Sequence, residues 1–240
     1  RTLGISKSNF DYFNTNIVKI EKISWKLKKF EIFTENLKNE KILNFRSNDN
    51  QLFSILRNYQ LYEMLKKDLS KNKFFKKKYL NFNSSLIKNY EIVIITDYSH
   101  IFTKKFFSKK IIKKYKGLAY TTIVKHKKIP NITATQIFTK NGPLAFLPIS
   151  QNETSIVYSF GDNQNVQKEN VENLIKNYNF KYKINKFPSV NSFELQSISL
   201  RSYYQGKFLA FGDLLHRIHP LAGQGFNMTI RDIKILLDII

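Results

Sequence analysis

The chain has 240 residues, 42% hydrophobic content and a formal charge of +22. Its 21 Phe and 13 Tyr exclude a disordered chain, which lacks aromatic bulk. The absence of Cys excludes a disulfide scaffold, a cysteine nucleophile and a thiolate metal site. The longest apolar runs, such as 92–96 and 208–211, have strand length and are too short to cross a bilayer as a helix. The charge invites a nucleic-acid partner, but the lysines are scattered. Lys26 with Lys28 and Lys29, then Lys76–Lys78, then Lys104 and Lys105 lie in different segments that no nucleic-acid motif joins. Compositional drift towards Lys, Asn, Ile, Phe and Tyr accounts for the charge without a nucleic-acid surface. A weak membrane-surface role stays open.

In chain order, residues 1–25 open with a polar loop, followed by a short amphipathic stretch at Phe10, Phe13 and Ile17. Residues 26–48 alternate loosely and predict strands with a polar turn. From Gln51 to Leu69 the apolar positions Leu52, Ile55, Leu56, Leu61, Leu65 and Leu69 recur at helical spacing and predict a helix with an irregular start near Arg57 and Asn58. Residues 72–96 predict short strands ending in a β-branched run buried on both faces, with Asp97 at its C-terminal end. Further strands are predicted at 118–124, 134–138, 144–147 and 155–158, a helix at 171–178 and a strand within 193–205. A strand at 208–211, a loop at 212–225 and a helix at 227–240 complete the chain. A chain that begins at Arg1 and stops inside an apparent helix reads as a piece of a longer one.

The densest cluster of small residues lies at 212–225. It reads Gly212-Asp213-Leu214-Leu215-His216-Arg217-Ile218-His219-Pro220-Leu221-Ala222-Gly223-Gln224-Gly225, followed by Phe226-Asn227. A strand delivers Gly212 and Asp213 to its C-terminal edge, where ligands bind in open α/β sheets. Gly212 permits close approach of backbone or ligand, and Asp213 can accept hydrogen bonds from sugar-like hydroxyls. Pro220 fixes a turn. Gly223-Gln224-Gly225 leads into a helix start whose N–H groups and dipole favour negative charge. An ordinary strand-loop-helix connection needs far less of this ordered string.

The string Gly-Asp-x-x-His-x-x-His-Pro-x-x-Gly-Gln-Gly-x-Asn resembles the second FAD-binding motif of the FAD-dependent aromatic hydroxylases, most nearly the ubiquinone-biosynthesis hydroxylases with the p-hydroxybenzoate hydroxylase fold. Arg231-Asp232 continues the resemblance. The arginine-led segment 1–8, the helix entry 55–65 and the strand pair 134–148 match in the same order, so the resemblance covers nearly the whole chain. It implies an α/β fold: a partial Rossmann-like FAD-binding domain (1–25, 51–114 and 206–240, without its N-terminal βαβ) interleaved with a sheet-rich substrate domain (26–50 and 115–205). It also implies that Gly212 and Asp213 serve the ribityl or pyrophosphate region of FAD. Pro220, Gly223, Gln224 and Gly225 would run along the isoalloxazine, with Asn227 at the helix entrance. Arg57 and Asn58 would lie on the flavin's other side, with Arg1 near the cofactor and Asp97 as a further cofactor-site candidate. Gly142 and Pro143 would form a substrate-side wall. Two departures stand out. Tyr98 occupies a position where the family has Gly after the strand-end Asp, and Phe102-Thr103-Lys104-Lys105 replaces the Ser-x-x-Arg sequel, which bears on nicotinamide handling. The Gly-x-Gly-x-x-Gly turn that cradles the FAD pyrophosphate is absent, and the expected explanation is that it lies upstream of Arg1.

His216 and His219 are spaced like a metal pair but lack a third ligand, so no metal is expected. His100 and His126 are expected at the surface, and Trp25 in packing. No side chain is assigned a catalytic role, since in a flavin mechanism the cofactor performs the oxygen chemistry. The resemblance implies ring hydroxylation of a polyprenylated phenol, with FAD as cofactor, NAD(P)H as reductant and O2 as co-substrate. No nucleic acid is expected. The expected location is cytoplasmic, with peripheral attachment to the inner membrane or to a ubiquinone-biosynthesis complex open. Rival readings are an FAD-dependent isoprenoid reductase or epoxidase, an inactive or truncated flavoprotein fragment, and a basic binding module.

Overall fold

The computed structural model describes residues 1–35, 41–48, 51–79, 84–161, 168–215 and 224–240. In chain order the elements are β1 (Thr2–Ser6), α1 (Lys7–Asn16), β2 (Ser24–Leu27), β3 (Lys29–Thr34), β4 (Lys41–Arg46), β5 (Phe53–Arg57), α2 (Asn58–Leu69), β6 (Val93–Ile95), α3 (Ile101–Phe106), β7 (Lys110–His126), β8 (Thr133–Thr139), β9 (Gly142–Pro148), β10 (Glu153–Ser159), α4 (Lys168–Tyr178), β11 (Ile184–Lys186), β12 (Asn191–Leu200), β13 (Tyr204–Gln205), β14 (Phe208–Ala210) and α5 (Gln224–Ile239). The fold is mixed α/β and sheet-rich, as the sequence predicts. No helix among the described residues is long and apolar enough to cross a membrane.

Two compact units divide the chain: Arg1–Tyr62 with Tyr115–Leu195, and Glu63–Lys114 with Gln196–Ile240. The first is built on an eight-stranded sheet in the order β11-β7-β10-β9-β8-β3-β4, with β12 also paired to β7. Antiparallel pairing dominates, but β8 runs parallel to β3 from Lys29↔Thr133 to Thr34↔Phe138. The alternation of β9 puts Leu144 and Phe146 inside, where they meet Ile156 and Tyr158 of β10 and Val171 and Ile175 of α4. Covering these side chains removes apolar area from water at roughly 25 cal/mol per Å2, which holds α4 on the sheet. A small sheet in the order β1-β5-β2 completes this unit.

In the second unit β14 pairs in parallel with β6 (Phe208↔Val93, Ala210↔Ile95) and antiparallel with β13. Its core is Ile95, Phe107, Leu200, Ala210 and Leu214, with Phe102, Phe106 and Phe208 against it. Phe106 and Phe208 stack with centroids 4.0 Å apart.

Several predicted elements change. Thr2–Ser6 form strand β1 rather than a loop. Residues 53–57 form the central strand of the small sheet, and the helix begins only at Asn58. Within 72–96 the described residues hold one strand, β6, besides turns and a 3-10 segment at Ser84–Asn89. β6 is not buried on both faces: Ile94 is 49% exposed while Ile95 is buried. As an edge strand it packs on Phe107, Ala210 and Leu214 through Ile95, with Val93 partly buried against the same cluster.

Candidate functional site

The parallel pair β6/β14 sets one strand edge. Beyond the last paired residues, Phe211 N donates to Ile95 O (2.9 Å), which carries the register one residue further. Gly212 then turns the chain at φ +64°, a conformation that disfavours any side chain, and a Cβ there would meet only the Thr96 methyl, 4.0 Å away. Leu215 N donates back to Gly212 O (2.9 Å), closing a 3-10 turn. That turn buries Leu214 and leaves Asp213 exposed, with no hydrogen-bond partner for its carboxylate among the described residues. A glycine bend followed by an outward carboxylate at the C-terminal edge of parallel strands is the arrangement in which α/β sheets receive hydroxyl-rich ligands.

Asp97 lies on the same edge, two residues past β6. Its Oδ1 accepts from the Ser99 N–H and Oγ–H, both at 2.8 Å, and its carbonyl accepts from Thr103 Oγ1 at 2.6 Å. The Ser99 bonds hold the Asp97 carboxyl below its usual range. His100 is exposed, as expected, and caps α3 by accepting from Phe102 N at 3.2 Å. Tyr98, the residue that stands where the family has Gly, packs against the core of this unit. Lys110 Nζ sits 4.3 Å above its ring, and its buried hydroxyl has no partner among the described residues.

Pro220, Gly223, His216 and His219 lie outside the described residues. Gln224, Gly225 and Asn227 occupy the first turn of α5, where main-chain N–H groups lack helical acceptors. The helix therefore starts three residues earlier than predicted, with no acidic side chain in its first turn. A glycine at the second helical position keeps the approach to those N–H groups low.

In the first unit, Arg1, Arg57 and Asn58 come together because β1 and β5 are paired, Thr2 opposite Arg57. Asn58 N donates to Arg1 O at 3.1 Å, and the Arg1 guanidinium lies 5.7 Å from the Phe193 ring centre. Arg57 Nη2 is 2.6 Å from Glu153 Oε2, an ion pair that Lys125 approaches at 3.8 Å. Gly142 and Pro143 follow the β8–β9 turn. Glu35 fastens that turn: its Oε2 accepts from Lys140 N and Tyr178 Oη–H, each at 2.7 Å. These bonds lower the Glu35 pKa, while burial and the carboxylate partner push Tyr178 up. Gly142, at φ +134°, has Ser159 O 2.2 Å from where a Cβ would lie. The residues predicted for the site thus form an Asp97, Gly212 and Asp213 edge with the α5 entry in the second unit, and an Arg1, Arg57 and Asn58 group beside Glu153 in the first; Gly142 and Pro143 lie at the opposite end of β10, by Ser159, and do not join that group.

His126 contradicts its predicted surface position. It is 3% exposed, with Nδ1 2.8 Å from Lys127 O and Nε2 2.9 Å from Thr154 Oγ1. Asn131 donates to Ser150 O (2.9 Å) and Thr154 Oγ1 (3.0 Å), and accepts from Tyr182 Oη–H (3.0 Å). Trp25 Nε1 donates to Asn131 O at 2.6 Å. The network satisfies polar groups in a packed sheet and leaves His126 no access to a ligand. Among the described residues no cluster of His, Asp and Glu could hold a metal ion.

Comparison with known proteins gives this arrangement its context. A family described as FAD binding domain matches residues 113–240. A stretch of 117 residues is 31% identical to 3-demethoxyubiquinol 3-hydroxylase of Escherichia coli (strain K12), covering 46% of this chain but only 30% of that protein. The chain therefore spans well under two thirds of this relative. Among solved structures, pqsL, a probable FAD-dependent monooxygenase from Pseudomonas aeruginosa, superposes with TM-score 0.74 over 99% of this chain and 75% of its own, at 12% identity. Klebsiella pneumoniae HpxO complexed with FAD and uric acid superposes with TM-score 0.69 over 96% of this chain and 68% of its own, also at 12% identity. These superpositions establish the fold. The match over 113–240, which contains Gly212, Asp213 and the α5 entry, establishes the family: the chain belongs to the FAD binding domain family.

Proposed function

We propose that this chain is the flavin-contacting and substrate-contacting part of an FAD-dependent monooxygenase that hydroxylates an aromatic ring. The substrate class we assign is a polyprenylated phenol, with NAD(P)H as reductant and O2 as co-substrate. The carrying observation is the β6/β14 edge, where Gly212 bends at positive φ and presents an exposed Asp213 whose carboxylate has no partner among the described residues. Such a carboxylate fits the hydroxyls of a flavin dinucleotide. FAD, when bound, supplies the oxygen chemistry. The protein's part is to bind, orient and exclude water. Asp213 accepts hydrogen bonds from ribityl or ribose hydroxyls, and Gly212 keeps that approach free of a side chain. The first-turn N–H groups at Gln224, Gly225 and Asn227 favour the negative edge of a reduced ring system. Residues 1–25, 51–114 and 206–240 are assigned to flavin binding, and 26–50 and 115–205 to the substrate side, with Gly142 and Pro143 in its wall. Ubiquinone biosynthesis as the setting rests on the 31% identity to the E. coli hydroxylase.

Tyr98 favours a second reading. Its ring fills the place of the family's Gly beneath Lys110, which supports altered nicotinamide handling, as in a flavoprotein of different chemistry or an inactive fragment. The test is to express the chain with its natural flanking sequence and titrate it with FAD, following flavin absorbance and fluorescence. Uptake of FAD with about tenfold or more weaker affinity in Asp213→Ala is expected from loss of charged hydrogen bonds. A folded protein that takes up no FAD overturns the proposal, and unchanged affinity in the variant removes Asp213 from the site.

A further inference from the structure

We propose that the turn following α2, residues 71–79, docks the protein on the anionic face of a lipid bilayer. The inference does not depend on the flavin reading: residues 71–79 lie within the 51–114 segment assigned to flavin binding, but none of them is a named contact of that site.

α2 ends in a chain of tight hydrogen bonds: Ser70 N to Lys66 O (3.0 Å), Lys71 N to Asp68 O (3.1 Å) and Asn72 N to Leu69 O (3.0 Å). Asn72 then builds the next turn. Its carbonyl accepts from Phe75 N at 3.0 Å, and its Oδ1 accepts from Phe74 N at 2.9 Å. This Asx turn fixes Phe74 at the tip, pointing outward. Phe74 is 82% exposed and Tyr79 88%, with Leu69 and Phe75 each at 43%. Aromatic rings this far out of any core are costly in water, and the hydrogen-bonded turn holds Phe74 there.

Charge identifies the occupant. Between residues 66 and 79 there are seven lysines, one acid (Asp68) and no arginine. Lys73 Nζ lies 5.0 Å from the Phe74 ring centre, and Lys77 Nζ 5.0 Å from that of Tyr79. Lysine stems lie along apolar surface while their ammonium groups reach a polar layer, and aromatic rings settle at the headgroup level. A bilayer carrying anionic lipid satisfies both requirements at once, since polybasic segments gain from its surface potential. Nucleic acid fits less well. Bases stack on aromatics lining a charged groove, whereas these rings stand on a protruding turn, and the absence of arginine removes the bidentate phosphate contacts that such sites favour.

The test is flotation of the full chain with vesicles of phosphatidylcholine alone and with added phosphatidylglycerol. Binding is expected only to the latter. Replacing Lys76, Lys77 and Lys78 together by Gln is expected to lower the partition coefficient roughly 100-fold. Phe74→Ser with Tyr79→Ser is expected to lower it at least about tenfold. As a control of equal charge, Lys127→Gln with Lys128→Gln and Lys183→Gln changes three exposed lysines of the first unit and should leave vesicle binding within about twofold. A Phe74→Trp variant reports insertion directly, because the only other Trp is Trp25; its emission should shift to the blue on anionic vesicles. Equal losses in the two lysine triples, no blue shift, or binding to a single-stranded oligonucleotide but not to anionic vesicles each overturns the proposal.

Discussion

Gly142 shows how a residue that resembles a substrate contact also answers to the backbone. The resemblance places it on the substrate side, and that role stands as proposed. Its φ of +134° and the Ser159 carbonyl 2.2 Å from a would-be Cβ add a constraint that no ligand imposes. Gly142→Ala should therefore cost about 3 kcal/mol of stability whether or not substrate is present, measured by urea unfolding. A loss below about 0.5 kcal/mol would show that the hairpin relaxes freely. Lys181 makes a second residue-scale case. Its ammonium donates to Thr133 O at 2.9 Å, and burial lowers its pKa from 10.5 to about 8 despite the opposing pull of Glu31. Between these two values the unfolded chain binds more protons than the folded one, so stability should rise with pH across that window. Lys181→Met should flatten the rise, read from denaturation midpoints at pH 8 and above; an identical slope in the variant would refute the assignment.

At the scale of elements, β4 and β5 make opposite points. β4 is the outer strand of the large sheet, and Ile42, Leu43 and Phe45 are 44%, 50% and 48% exposed. An exposed apolar edge strand invites pairing with other chains. Leu43→Thr with Phe45→Thr is expected to reduce self-association in sedimentation experiments while changing stability by less than about 0.5 kcal/mol per site. A loss of several kcal/mol would mean that these side chains are covered. β5 is the inner strand between β1 and β2, with Ser54, Ile55 and Leu56 consecutively buried. Cover on both faces erases the period-2 signal, and the apolar residues that remain happen to fit helical spacing into α2. That is why the sequence reads as one helix from Gln51 with an irregular start near Arg57 and Asn58, where the structure has strand to Arg57 and a helix from Asn58.

At the scale of the molecule the charge of +22 dominates. Ion pairs such as Lys66–Glu63 and Lys71–Asp68 lie on exposed helix or turn surface, where each contributes little. Net self-repulsion should therefore destabilise the folded chain at low ionic strength. Adding NaCl from about 10 to 150 mM, which shortens the screening length from roughly 30 to 8 Å, should raise Tm by a few degrees. A Tm that falls across this range would mean that favourable pairs outweigh the repulsion.

Composition and local order in the sequence determined the α/β class, the strands of β7 to β10, and the Gly212–Asn227 motif with its family. These rest on neighbouring residues: alternation along a strand, and a glycine, Gly212, at a bend whose φ side chains rarely adopt. What only the tertiary structure decided rests on residues far apart in the chain. Glu35 meets Lys140 and Tyr178, Arg57 meets Glu153, and His126 is enclosed by Thr154 and Asn131. His126 meets Thr154 through the register of β7 on β10, whereas Arg57 and Glu153 come from two different sheets and Tyr178 from α4. The same side chain is a surface base or a buried acceptor according to which strand lies beside it, and a linear sequence carries no local mark of that neighbour.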